Sequence, residues 1–215
     1  MIVSIVGGHG SIARLLAPLL VARGHAVRGL VRKHEQFDDI RALGAEPVLC
    51  DMEAATPDDV DDALRDSDLV VFAAGAGPDS GPERKLTLDR DGAIKAVDSA
   101  VRVGAGRFVM ISSMGADDPP DGDETFSVYL RAKAAADEAA RAADIDAVIV
   151  RPGRLTDDAP NKTVDLASKV ERGEIPRADV AAVLAEIIEV ADGVDTTVEL
   201  VAGTLPIRNA VALLH

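Results

Sequence analysis

The sequence predicts an α/β domain, a doubly wound parallel sheet with helices on both faces, and three observations predict it. Apolar strand-like runs alternate along the chain with Ala- and Leu-rich stretches at helical spacing. The strand runs are continuous rather than alternating, as burial on both faces requires. The first run opens into a glycine-rich turn and then a helix.

Strand-like runs fall at 2–6, 25–31, 46–50, 69–73, 107–111 and 147–150, with a further one at 197–201. Helical stretches fall between them at 12–22, 57–64, 86–103, 129–143 and 180–191. The expected strand order is 3-2-1-4-5-6, with the 197–201 strand added to it. Boundaries are legible. Thr56-Pro57-Asp58-Asp59 reads as an N-cap, a proline at the first helical position and acids in the first turn. Gly24 and Gly104 stand where helices should stop. The segments 115–125 and 154–162, rich in Asp and Pro, read as surface loops.

The 215 residues fit one domain, with 153–215 as a small C-terminal portion on the substrate side. Hydrophobic residues make up 47%, enough for a sizeable core, but aromatics only 2%. Few rings are available to stack on bases, and a net charge of −14 opposes a phosphate backbone, so no nucleic-acid partner is expected. Cys50 is the only cysteine, which excludes a disulfide within the chain. No signal-peptide pattern and no run of 18 apolar residues is present, so the expectation is a cytoplasmic protein without a membrane partner, monomeric or homodimeric. His9, His25, His34 and His215 are dispersed, without metal-ligand spacing, and no metal is expected.

The frame Gly7-x-x-Gly10-x-x-Ala13 carries the first functional argument. Gly7 permits a tight turn, Gly10 lets the backbone approach a pyrophosphate, and Ala13 is small enough for close helix packing. The helix start at Ser11 and Ile12 then offers amide donors and the positive end of a dipole. A glycine triplet alone is weak evidence; a strand before it and an amphipathic helix after it are the confirming context for a Rossmann-type dinucleotide site. His9 lies inside the turn, as a pyrophosphate contact or as a plain turn residue.

The end of the second strand bears on cofactor choice. Enzymes using NAD place an acid there for the ribose 2′-hydroxyl. This chain has Arg32-Lys33, two cations suited to a 2′-phosphate, which points to NADP(H), with NAD(H) second because Glu35 is close by. Asp51-Met52 follows the third strand, where the carboxylate can accept from an adenine amino group. Ala73-Ala74-Gly75 follows the fourth, small enough for adenine and ribose to lie alongside.

Tyr129 and Lys133 are four residues apart at the start of the long helix, on one face of it. The preceding strand ends in Ile111-Ser112-Ser113. A phenol, with an ordinary pKa of about 10, is a poor acid–base group at neutral pH, and a nearby ammonium favours its ionised form. Such a pair, with a serine holding a carbonyl, can protonate the alkoxide that forms as hydride arrives.

These stretches, with Val150-Arg151-Pro152-Gly153, resemble the short-chain dehydrogenase/reductase superfamily over residues 1 to about 155. The resemblance is to its small atypical members, NmrA-like and NAD-dependent epimerase/dehydratase-like. It implies Ser113, or Ser112 beside it, with Tyr129 and Lys133 as the catalytic set. It also implies Lys133 on the nicotinamide ribose and Pro152-Gly153 beside the nicotinamide. The function implied is an NADPH-dependent oxidoreductase acting on a small carbonyl substrate. Two other readings stay open: a cofactor-sensing regulator without turnover, as among NmrA-like relatives, and a nucleotide-sugar epimerase or dehydratase. Ala13 departs from the usual third glycine, and the short remainder after Pro152 leaves a small or open substrate pocket.

Overall fold

The computed structural model describes residues 1–190 and 194–214. In chain order the elements are β1 (Ile2–Val6), α1 (Ser11–Ala22), β2 (Ala26–Val31), α2 (Phe37–Ala42), β3 (Glu46–Leu49), α3 (Pro57–Leu64) and β4 (Leu69–Phe72). They continue with α4 (Pro82–Arg84), a π-helical stretch (Lys85–Arg90), α5 (Asp91–Arg102), β5 (Arg107–Ile111), α6 (Thr125–Ala142), β6 (Asp146–Pro152) and β7 (Arg154–Thr156). The last are β8 (Thr163–Ala167), β9 (Glu174–Pro176), α7 (Arg177–Val190), β10 (Thr196–Ala202), β11 (Leu205–Pro206) and α8 (Ile207–Val211).

The main sheet runs β11-β8-β10-β6-β5-β4-β1-β2-β3. From β3 to β10 every pairing is parallel, in the order expected from the sequence, and the strand around 197–201 extends it beside β6. β1 pairs with both β2 and β4, so the chain order reverses at β1 and a crevice opens at its carboxyl end.

The continuous apolar runs divide between two cores. In β4, Leu69 and Val71 join one core while Val70 and Phe72 join the other. The first core is closed by α1, α7 and α8, the second by α3, α5 and α6. Thr56 caps α3 as its sequence predicts: its Oγ1 accepts from Asp59 N (3.3 Å) and its N–H donates to Asp59 Oδ2 (2.9 Å). Gly24 and Gly104 end helices at φ of +86° and +75°, the left-handed region. Among the described residues no helix is long and apolar enough to cross a membrane.

Several expectations need correction. The helix read at 86–103 is two pieces, a π-helical stretch and then α5, with the short α4 just before them. The long helix begins at Thr125, one turn before Tyr129. The segment 154–162 is not all loop, since β7 pairs there with β9 in a separate two-stranded sheet. The antiparallel strand β8 and the short helix α2 carry no long periodic signal and were not expected. The helix read at 180–191 starts at Arg177; Ala191, its expected last residue, lies outside the described residues, as does His215.

Candidate active site

The carboxyl ends of the parallel strands surround one cleft of about 860 Å³. At its centre, Gly7 leaves β1 with φ +80°, and a Cβ there would lie 2.6 Å from the Ala74 backbone Cα. Gly10 N–H donates to Gly7 O (2.8 Å) and closes the turn. Gly10 caps α1 without a side chain over the helix end. Ser11 and Ile12 line the cleft in the first helical turn, where N–H groups have no earlier carbonyl to bond. The turn is thus a bare cradle that side chains would fill, and it fits a pyrophosphate. Gly8 adds to it: a Cβ would lie 2.7 Å from Gly29 Cα in β2, and Gly8 N–H donates to Leu30 O (2.9 Å). The glycine inside the apolar β2 run was the available signal for that close approach. His9 lines the cleft with its Nε2 2.7 Å from Asp39 Oδ2.

At the β2 end the two cations separate. Arg32 lines the cleft. Lys33 is exposed and is not on the cleft wall, and its N–H donates to Gln36 Oε1 (3.2 Å). Glu35 is exposed and off the wall as well. The acids at this end come from the next strand instead. Asp51 and the buried Met52 line the cleft with Glu53. Asp51 Oδ1 accepts from Glu53 N (3.1 Å), and Asp51 O accepts from the N–H groups of Ala54 (3.0 Å) and Ala55 (2.7 Å). Lys95 Nζ ties down the same turn through Met52 O (2.9 Å) and Ala55 O (2.6 Å). Glu53 in turn accepts from Arg84 Nε (2.9 Å) and Thr87 Oγ1 (2.7 Å).

Ala73, Ala74 and Gly75 form the wall beyond β4. A Cβ on Gly75 would stand 3.3 Å from Asp89 Oδ1. That gap lets a buried carboxylate reach the loop, where Asp89 Oδ2 accepts from Ala76 N (3.1 Å).

At the other end of the cleft Tyr129 is half-buried, with two ammonium groups over its ring. Lys133 Nζ is 5.8 Å and Lys85 Nζ 5.4 Å from the ring centroid. Lys133 donates to Ile111 O (3.0 Å) and lies 3.5 Å from Asp89 Oδ1. Lys85 donates to Gly77 O. Burial pushes the Lys85 ammonium below its ordinary value, with Lys133 and Arg84 acting the same way and Asp89 opposing them. Lys85 and Asp89 come from the π-helical stretch, a geometry that recurs at functional sites. Helical periodicity gave no sign of either.

The two serines differ. Ser112 is 3% exposed, and its hydroxyl has no hydrogen-bond partner of good geometry. It lies near Asp137, two turns beyond Tyr129 on α6, whose carboxyl burial pushes up against the pull of Ser112 and Arg151. Both serines border the cleft, but Ser113 is half-buried and donates to Met114 O (3.3 Å). Pro152 and Gly153 close the wall at the end of β6, where a Cβ on Gly153 would run into the Gly173 carbonyl. Arg177, the first residue of α7, also lines the cleft and pairs with exposed Asp157 (2.7 Å). No sequence motif marked it. Of the catalytic and cofactor-contacting residues expected from the sequence, Lys33 lies off the cleft wall, as do Ala13 of the glycine frame and Glu35.

The fold and this cleft define a dinucleotide-binding α/β protein. Residues 7–190 match the model of a family described as NAD(P)H-binding, and the chain belongs to that family. It is 34% identical to an uncharacterised sugar epimerase, YhfK, of Bacillus subtilis, with 100% of both chains covered. Among solved structures, a Bacillus halodurans protein assigned as an NAD-dependent epimerase/dehydratase superposes with a TM-score of 0.92 at 35% identity, covering 99% of each chain. The oxidoreductase YlbE of Lactococcus lactis shares the fold with a TM-score of 0.86 at 23% identity, over 100% of this chain and 96% of the other. The epimerase/dehydratase-like kinship inferred from the glycine turn and the Tyr–Lys pair agrees with these matches.

Proposed function

We propose that this chain is an NADP(H)-dependent oxidoreductase acting on a small carbonyl compound, with residues 153–215 forming the substrate side. What supports the reading is the meeting of Tyr129, Lys133 and Ser113 in the same cleft as the glycine cradle. The Gly7–Gly10 turn and the first amides of α1 would hold the pyrophosphate. Arg32 would meet a 2′-phosphate, Asp51 and Met52 the adenine, and Ala73, Ala74 and Gly75 the adjoining ribose. Pro152 and Gly153 would border the nicotinamide, which supplies or accepts hydride when bound. Ser113 would donate to the substrate carbonyl oxygen and fix its direction, since Ser112 is buried beside Asp137. Tyr129 would give its phenolic proton to that oxygen as negative charge develops there. Lys133, anchored on Ile111 O and Asp89, would hold a positive charge beside the phenol and bond the nicotinamide ribose.

The test is NADPH consumption against a panel of small aldehydes and ketones. Tyr129→Phe should lower kcat/KM by about 10²- to 10⁴-fold, the usual contribution of a positioned acid, while NADPH still binds. Undiminished turnover in the variant overturns the assignment. The full-length likeness to the B. subtilis sugar epimerase favours a second reading, epimerisation of a sugar derivative. That reaction returns its hydride, so it would change product stereochemistry in NMR with no net loss of NADPH.

A further inference from the structure

We infer that Glu53 sets the choice between NADPH and NADH in this chain: it keeps a negative charge beside the place where a 2′-phosphate would meet Arg32, and Arg84 offsets that charge. The inference rests on the dinucleotide reading of the cleft and goes beyond it in assigning two residues that no glycine-turn or strand-end motif marks.

Placement comes first. β2 and β3 are neighbours in parallel register, Val31 opposite Leu49. Arg32 follows one strand and Glu53 the turn after the other, and both line the same wall. Glu53 is fixed there. Its backbone N–H is held by Asp51, and the turn that carries it is bonded to Lys95 from below. Its carboxylate is held by Arg84 Nε (2.9 Å), Arg84 Nη2 (2.9 Å) and Thr87 Oγ1 (2.7 Å). Burial pushes this carboxyl up, but Arg84, Thr87 and the nearby Arg32 outweigh burial and keep it below the usual range. Glu53 is therefore ionised at neutral pH.

A fixed carboxylate paired with Arg84 and within electrostatic reach of Arg32 affects the two cofactors differently. A 2′-phosphate carries close to two negative charges, and its approach to Arg32 meets repulsion from Glu53. A ribose 2′-hydroxyl carries none and is indifferent to that repulsion or gains an acceptor. Arg84 decides how strongly Glu53 is felt, because its guanidinium, with Nε and Nη2 both on Oε2, cancels part of the charge. The acid that matters at this end is then Glu53, after the third strand, rather than Glu35 after the second, which stands off the cleft wall.

The experiment is calorimetric titration of the full chain with 2′,5′-ADP and 5′-AMP, probes that differ only in the 2′-phosphate, repeated with NADPH and NADH. Glu53→Gln keeps the size and one acceptor oxygen for Arg84, while its NH2 can donate to the Thr87 hydroxyl. It should raise the ratio of 2′,5′-ADP to 5′-AMP affinity by about tenfold, the scale expected on removing one charge a few ångströms from another near a surface. Arg84→Gln should move the ratio the other way. A thermal melt of each variant identifies any loss of fold, and since the readout is a ratio of two ligands on one sample, partial unfolding cancels. An unchanged or lowered ratio in Glu53→Gln overturns the inference while leaving the cofactor site intact. Failure of wild type to bind any of the four ligands overturns the dinucleotide reading itself, and this inference with it.

Discussion

The two ends of the cleft handle charge in opposite ways. At the end holding Tyr129, the reacting end under the proposed function, Lys85, Asp89 and Lys133 are 5%, 1% and 3% exposed, so their charges are withdrawn from water and depend on one another. At the other end, the adenine end under the proposed function, Arg32 is exposed, and the Glu53 and Arg84 side chains keep 26% and 32% of their surface. Water and salt share the work there. Buried ions must be satisfied by their partners or they unfold the site; half-exposed ions can be exchanged at small cost. The same chain therefore holds a rigid constellation where a proton would move and an adjustable one where cofactor type would be read.

Removing Asp89 breaks the comparison at its strongest point. Asp89→Ala leaves Lys85 with Gly77 O and Lys133 with Ile111 O, two buried ammonium groups stripped of their main carboxylate and left only the weaker charge of Asp79 or Asp137. It also frees the Ala76 N–H. Unfolding in denaturant should show a loss of about 3–5 kcal/mol, the cost of stranding buried charge. Glu53→Ala, at the half-exposed end, should cost about 1 kcal/mol or less. Equal losses at the two ends would show that burial does not distinguish them.

A smaller effect sharpens the adenine end. Arg32→Ala should weaken NADPH about tenfold relative to NADH, through loss of a charge-assisted contact. Lys33→Ala should leave both affinities within about twofold, since an exposed cation off the cleft wall acts only through screened water. Calorimetric titration of both variants checks this. A Lys33 effect as large as that of Arg32 would mean that the loop after β2 turns its second cation inward when cofactor binds.

That pair also marks how far sequence reading reached. Continuous apolar runs are produced by burial on both faces, which made β1, β2, β4, β5 and β6 legible; the edge strand β3, without a buried residue, was legible from its place in the strand–helix alternation, which also gave the order. The glycine turn was legible because only residues without a Cβ fit beside Ala74. Tyr129 and Lys133 followed from helical spacing. Arg32 and Lys33 are adjacent, and a one-residue step in an extended chain turns a side chain to the other side, which composition does not record. Lys85 and Asp89 were hidden for a different reason. Charged residues on an amphipathic stretch belong on the solvent face by periodicity, and a π-helical stretch turns them inward. The strands β7, β9 and β11 have two or three residues each, too short for a period to establish itself, and β8, TVDLA, is buried on one side only and offers no continuous apolar run.

The least disruptive test uses salt alone. Raising ionic strength from about 0.1 M to about 1 M shortens the Debye length from about 10 Å to about 3 Å. Interactions between exposed charges are screened over that range, and buried ones are affected much less. NADPH affinity should fall about three- to fivefold relative to NADH, because the 2′-phosphate would meet its partner at exposed Arg32. Over the same range the stability gap between wild type and Asp89→Ala should stay within about 0.5 kcal/mol, because no ions enter between Asp89 and Lys133. A ratio that does not move with salt would locate 2′-phosphate discrimination deeper than Arg32. A gap that closes with salt would mean that the reacting end is open to ions, and the contrast between the two ends would then be one of chemistry rather than of solvent access.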